Sequence, residues 1–383
     1  MTSKRQGERG AAVRVGVILS FSGRGGVERM VLRLLGGLQE ESALPLAIDL
    51  VAIRAGNLPD GAVPGGVRLV DLGLEHSSRA AGALAGYLRQ YWPDALLVAK
   101  DRAIRSAVRA RARAGTGTRL IGRLGTHLGA SLEGKHPLQR WLRTAPMARI
   151  YRRMDHVVGN SAGVVEDLRT LTGLPADRVS VIRNPVVGPD FPARARAEVT
   201  DPWLTPGEPP LLLGVGRLTR QKDFGTFLRA VARVRRDRPV RALLLGEGGE
   251  EEALRAEADQ LGLGGDFRIA GQVADPLPWM SRAGVVVLSS RWEGSPNVLT
   301  EAAALGGPVV ATDCPSGPRE LLGECAPEAL VPVGDERALA EAVHWQLDHP
   351  TDPERLRACT EEYRLAVSAR SYLEVLGIPV TSS

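Results

Sequence analysis

Val13-Arg-Val-Gly-Val-Ile-Leu-Ser-Phe-Ser-Gly-Arg-Gly-Gly-Val-Glu-Arg-Met-Val-Leu-Arg-Leu-Leu-Gly-Gly-Leu38 changes its hydrophobic period part-way along. Residues 13–21 are a mostly apolar run of strand length, and Ser22-Gly23-Arg24-Gly25-Gly26 follows as a glycine-rich loop. Beyond the loop, Val27, Met30, Val31, Leu34, Leu35 and Leu38 recur at the i, i+3, i+4, i+7 spacing of one helix face. Strand, tight loop and helix open an α/β fold. Glu28 stands where a dinucleotide fingerprint would carry its third glycine, which disfavours a dehydrogenase. Outward from this unit, apolar runs at 46–53, 95–99, 119–124 and 156–159 alternate with helical stretches. That alternation predicts a parallel sheet covered on both faces.

Between residues 184 and 210 there are seven prolines and no sustained periodicity, so this stretch reads as a linker. The alternation then begins afresh, with strands expected at 211–215, 241–245, 267–270, 284–289 and 308–311. Phe224, Phe227, Leu228, Val231 and Val234 form a helical stripe behind Asp223, the expected N-cap. The expected organisation is a first domain at 1–185, a linker at 186–210, a second domain at 211–352 and a helical tail at 353–383 that packs back on the first. Two Rossmann-like domains in tandem bring the carboxyl ends of two parallel sheets to a central cleft, where open α/β sheets bind ligands.

A chain of 383 residues with 44% hydrophobic content is long enough for two such cores. Cys314, Cys325 and Cys359 lie too far apart for a zinc knuckle or a Cys-x-x-Cys pair and read as cytosolic thiols. Arg14 interrupts the first apolar run, which marks it as a strand and not a signal-peptide core, and no later run reaches the length of a membrane span. A cytoplasmic protein is expected. Up to residue 190 there are 28 Lys and Arg against 16 Asp and Glu, and the basic excess lies at 100–153, where 14 basic residues face Asp101 and Glu133. Such a stretch attracts anions.

Two further segments carry chemistry. Leu211-Leu-Leu-Gly-Val-Gly216 runs into Arg217 and Lys222, placing a forked donor and a point charge where a diphosphate would lie. In Glu293-Gly-Ser-Pro-Asn-Val-Leu-Thr-Glu301, Ser295 is the expected N-cap and Pro296 the first helical residue, so that the amides of Asn297 and Val298 face an anion. Glu293 and Glu301 would bracket a nucleotide sugar and accept from its hydroxyls.

Two glutamates with seven residues between them, Gly-Ser-Pro-Asn leading, resemble the signature of glycosyltransferase family 4, retaining enzymes of the GT-B fold. Gly25-Gly26-Val-Glu28-Arg29, Asn160-Ser161, Asn184-Pro185, Gly216-Arg217 with Lys222, Gly246-Glu-Gly248 and Gly271-Gln272 with Asp275 extend the similarity over most of the chain. The resemblance implies that Arg217 and Lys222 bind the donor diphosphate, Glu301 the ribose and Glu293 the transferred sugar. It implies too that Ser295, Asn297 and Val298 line the donor site, that Gly271 and Gln272 meet the base, and that Gly25 and Gly26 close over the phosphates. A histidine near the donor sugar matches His127. The resemblance therefore implies a hexosyltransferase-type enzyme using a nucleoside-diphosphate sugar and no cofactor. No two aspartates lie two apart, so a metal clamp is not expected and Arg217, Lys222 and helix amides must neutralise the leaving group.

The segment from Thr312 to Glu320 resembles one in members that extend bacterial surface or lipid-linked glycans, often from UDP-sugars. A soluble small-molecule acceptor is the runner-up, and a GT-B phosphorylase or epimerase stands behind it. Nucleic acid is not an expected partner, because residues 100–153 hold only Trp141 and Tyr151 as aromatics and no readout motif. Residues 138–154 mix apolar side chains with five arginines and no acid, which suits either an anionic membrane face or the cover of a sheet. Pro146 is expected to split that stretch into two short helices.

Overall fold

The computed structural model describes residues 12–19, 26–56, 58, 61–74, 80–127, 129, 136–205 and 207–381, the side chains of 137–143 excepted. Gly25 and most of its loop lie outside them. The chain divides into a unit of residues 1–185 with 365–383 and a unit of residues 186–364.

The first unit opens with β1 (Val13–Leu19), α1 (Gly26–Glu41), β2 (Leu46–Ala52) and β3 (Val67–Asp71). α2 (Ala80–Tyr91), β4 (Ala95–Ala99), α3 (Asp101–Ala114) and β5 (Arg119–Leu124) follow. It continues with α4 (Pro137–Tyr151), β6 (His156–Gly159), α5 (Ala162–Thr172) and β7 (Val179–Val181). All strand pairings are parallel in the order β3-β2-β1-β4-β5-β6-β7, so the order reverses between β1 and β4. α1 buries Met30, Val31, Leu34, Leu35 and Leu38, the stripe its sequence sets out. Each such side chain contributes roughly 1.5–3 kcal/mol of burial. The buried Asp49 of β2 is satisfied by Arg68 Nη2 at 2.7 Å and Tyr87 Oη at 2.8 Å.

Pro146 does not split α4. One helix runs from Pro137 to Tyr151 with the proline inside it, so the expectation of two pieces was incorrect. Met147, Ala148, Tyr151 and Met154 turn inward, and Met147, Tyr151 and Met154 join the core of α2, α3 and α5, while Arg149, Arg152 and Arg153 stay exposed. The apolar half of this described stretch is therefore sheet cover.

The second unit contains α6 (Phe191–Ala195), β8 (Leu211–Val215), α7 (Phe224–Asp237), β9 (Arg241–Leu245), α8 (Glu251–Gln260) and β10 (Phe267–Ile269). α9 (Leu277–Met280), β11 (Val285–Leu288), α10 (Asn297–Leu305), β12 (Val309–Thr312), α11 (Pro318–Leu322), β13 (Leu330–Val331), α12 (Glu336–Asp348) and α13 (Pro353–Ala358) complete it. Its parallel order is β10-β9-β8-β11-β12-β13, with the reversal between β8 and β11. The proline-rich stretch read as a linker is folded against this unit: Val186 and Phe191 join its core, and Ser281 Oγ donates to Ala195 O at 2.9 Å. Asp223 precedes α7 but makes no side-chain cap; it sits at φ 47° and its carboxylate accepts from Thr226 Oγ1 at 3.0 Å. Cys325 and Cys359 are bonded to each other, not separate thiols as expected, and Cys314 is free and buried.

The tail divides. α13 stays with the second unit, whereas α14 (Leu365–Leu376) returns to the first, where Ala369, Tyr372, Leu373 and Leu376 join the core behind α1. Among the described residues no helix is long and apolar enough to cross a membrane.

Candidate functional site

In the second unit the sheet reverses between β8 and β11, and the loops leaving those two strands meet. Open α/β sheets bind ligands at such a point. Ser289 Oγ donates to Lys222 O at 2.8 Å, Gln221 Nε2 to Trp292 O at 2.9 Å and Arg291 N to Gln221 O at 2.8 Å. Arg291 also lies 3.1 Å from the Asp223 carboxylate. Three hydrogen bonds and an ion pair thus fix the two loops to one another.

Within that frame Lys222 Nζ lies 2.6 Å from Glu293 Oε1, with the two side chains 15% and 9% exposed. Ser290 Oγ donates to the same oxygen at 2.6 Å, and Thr312 Oγ1 donates to Ser290 O at 2.6 Å. The Glu293 carboxylate is therefore oriented by two donors from different loops. Burial, then Glu293, push the neighbouring Cys314 thiol up to about 12, with Lys222 opposing. That thiol stays protonated at neutral pH.

Backbone crowding sets where the β8 loop runs. A Cβ on Gly246, just past β9, would sit 1.8 Å from Gly216 O, so the two strand ends approach more closely than any side chain allows. Gly216 in turn faces the Lys222 stem, and Arg217 is exposed next to it. Gly271 follows β10 with φ 74° and accepts from Gly246 N at 2.8 Å, and Gln272 beside it is exposed.

α10 starts at Asn297, with Pro296 as its N-cap, not Ser295. Ser295 Oγ is buried without a hydrogen-bond partner, so the expected cap is absent. The first intrahelical bond runs from Thr300 N to Pro296 O, which places the amides of Asn297 and Val298 at the helix's positive end. Gly317, at φ 83°, packs over this start: a Cβ there would meet Pro296 Cδ at 2.4 Å. Glu301 is half-buried on α10. Near it, Arg194 of α6 makes a bidentate pair with Asp275 at 2.7 and 2.9 Å. Burial works against the Arg194 charge, but Asp275, Asp190 and Glu301 together hold it above its ordinary range.

Lys222, Glu293 and the start of α10 thus converge, with Arg217, Gly271 and Gln272 on the same sheet edge. Gly26 and His127 belong to the first unit, at the start of α1 and after β5, and His127 is half-buried. Nearby, the buried Arg123 donates to Asn184 Oδ1 at 2.5 Å, and burial pulls its charge below the ordinary range while Tyr372 opposes. Ser290, Thr312 and Arg194 were not anticipated. The Ser289-Ser290 pair at a strand end was a local signal for the first. Arg194 lies 81 residues from Asp275, and no local pattern marks it. Among the described residues no cluster of three or more His, Cys, Asp or Glu side chains could hold a metal ion.

The profile described as "Glycosyltransferase Family 4" matches residues 24–187, and that described as "Glycosyl transferases group 1" matches residues 209–349. The chain belongs to glycosyltransferase family 4. Among curated relatives of this family-4 chain, the lipopolysaccharide core biosynthesis glycosyltransferase LpsE of Rhizobium meliloti is 33% identical over 50% of this chain and 54% of its own length. The N-acetylgalactosamine-N,N'-diacetylbacillosaminyl-diphospho-undecaprenol 4-alpha-N-acetylgalactosaminyltransferase of Campylobacter jejuni is 28% identical over 52% of each chain. The chain thus spans about half the length of the curated relatives it matches. HepE of Anabaena, solved with UDP-glucose, superposes with a TM-score of 0.77 at 17% identity over 95% of this chain and 99% of that one. The lipopolysaccharide outer core galactosyltransferase WaaB superposes at 0.70 and 17% identity, over 95% and 99%. At such identities the structural likeness concerns the fold alone, the two-Rossmann GT-B arrangement.

Proposed function

We propose that this family-4 glycosyltransferase moves a hexose from a nucleoside-diphosphate donor, a UDP-sugar, to a glycan acceptor with retention of anomeric configuration and without a metal ion. The observation that carries the reading is the Lys222–Glu293 pair beside the positive end of α10 at the β8/β11 reversal. A cation and helix amides suit a diphosphate, and a fixed carboxylate suits a sugar hydroxyl. In the proposed step the bond from the anomeric carbon to the leaving phosphate oxygen breaks. The acceptor oxygen bonds to the same face of that carbon, and its proton passes to the departing diphosphate. Arg217, Lys222 and the amides of Asn297 and Val298 stabilise the charge that grows there. Glu293 holds the sugar, Glu301 the ribose, Ser295 the donor, and Gly271 and Gln272 the base. Gly25, Gly26 and His127 are assigned to donor binding as well.

UDP-glucose in HepE supports the choice of donor, and the names of the Rhizobium and Campylobacter relatives support a surface or lipid-linked glycan as acceptor. The exposed arginines of α4 would serve an anionic membrane face where such an acceptor is presented. A melting panel of UDP, GDP, ADP and their sugars tests the donor. UDP at a hundredfold excess over its dissociation constant is expected to add about 2.7 kcal/mol of stability. The shift should persist in EDTA, and its loss there would overturn the metal-free reading.

Glu301→Ala is expected to raise the donor KM with little change in kcat, because ribose contacts are alike in ground and transition states. A fall in kcat with KM unchanged would remove Glu301 from the ribose.

A further inference from the structure

Elsewhere on the first unit, the last turns of α4 and α5 enclose an open hollow of about 590 Å³. It is lined by Thr144, Ala145 and Ala148 of α4, by Leu171 of α5 and by Arg149, Arg152 and Arg153; Ala148 is buried and the three arginines are exposed. On a helix the spacing 145, 148, 149, 152 keeps these residues on one face, and the two alanines leave the space that a larger side chain would fill.

The three arginines are exposed, and among the described residues no ion pair includes any of them. Their neighbours are neutralised: Arg111 by Asp155, Arg105 by Asp101 and Arg169 by Glu166. Arg152 Nε donates to Thr172 O at 3.0 Å, which anchors its guanidinium to the end of α5. Among the described residues no carboxylate lines the hollow. Arginine at a helix carboxyl end also complements the helix dipole. That effect accounts for a single turn, not for a concavity walled by a second helix.

We propose that this hollow is a second anion site, one that takes a phosphomonoester or diphosphate group in forked arginine hydrogen bonds. Its position separates it from the donor and sugar chemistry. α4 leads through Met154 directly into β6, so its last turn lies at the amino edge of the first sheet, opposite the carboxyl-end loop that carries His127. The site does not depend on the proposed transfer reaction. Its ligand is either a lipid headgroup or a soluble phosphate.

Titration calorimetry of the whole chain with inorganic pyrophosphate, at fixed ionic strength and without metal, tests it. The R149Q/R153Q double variant is expected to weaken this binding at least tenfold while leaving the unliganded melting temperature unchanged, because both side chains are exposed. K222A controls for pyrophosphate at the donor site and should keep the binding that R149Q/R153Q loses. Binding lost in K222A and retained in R149Q/R153Q would overturn the proposal, as would no binding beyond an ionic-strength-matched chloride blank. Co-sedimentation with phosphatidylglycerol but not phosphatidylcholine vesicles, lost in R149Q/R153Q, assigns the ligand to a lipid headgroup. Pyrophosphate binding without co-sedimentation assigns it to a soluble phosphate.

Discussion

Lys222→Ala should lower turnover about a hundred- to a thousandfold, the usual consequence of removing one donor that meets charge developing in the transition state. Unlike a change at a solvated strand end, it should also lower stability. Lys222 is the counter-ion of a carboxylate that is only 9% exposed, and breaking a buried pair from one side costs about 3–5 kcal/mol when burial is complete. The remaining exposure puts the expected loss below that range. Combining Lys222→Ala with Glu293→Gln separates the two effects. The double variant removes the stranded charge, so its urea midpoint should recover toward the parent value while turnover stays low. Near-normal turnover in Lys222→Ala would refute the diphosphate assignment.

Gly246→Val is expected to cost turnover on the order of a hundredfold although residue 246 carries no chemistry. Its Cβ would stand 1.8 Å from Gly216 O and 2.8 Å from Gly216 C, and both are backbone atoms that no rotamer change relieves. The end of β8 must then move, and with it Arg217 and Lys222; a misplacement of about 1 Å is enough for a loss of that size. Overpacking should add about 1–3 kcal/mol of destabilisation. Gly249→Ala is the control, since nothing lies within 4 Å of a Cβ there. Equal kinetics for Gly246→Val and Gly249→Ala would show that the strand ends are not what positions Lys222.

Much of this fold is legible in the chain because buried parallel strands announce themselves as apolar runs. β4, β5, β6, β8 and β9 coincide with their runs residue for residue. β3 escapes because Val67-Arg-Leu-Val-Asp71 has no buried face; it pairs with β2 at the sheet edge, and Arg68 holds it to Asp49. β7 and β13, at three and two residues, are too short to show a period. The helix starts were misjudged for a common reason. Asp223 and Ser295 have the composition of caps, but tertiary contacts decide what their oxygens do: Asp223 serves Thr226 and Arg291, and Ser295 Oγ is buried without a partner. At the site, Lys222 and Glu293 are each visible in sequence, whereas their contact spans 71 residues and follows from the strand order alone.

The return of α14 has a consequence for biosynthesis. A chain made from its amino end usually completes its domains in that order. Here the face of α1 at Gly37 is not covered until Leu365 and Ala369 have been made, after every residue of the second unit. The first unit is therefore completed only after the second. While the ribosome extends residues 186–364, the nascent first unit lacks the part of its core that Ala369, Tyr372, Leu373 and Leu376 supply, and those residues follow only after the second unit is made.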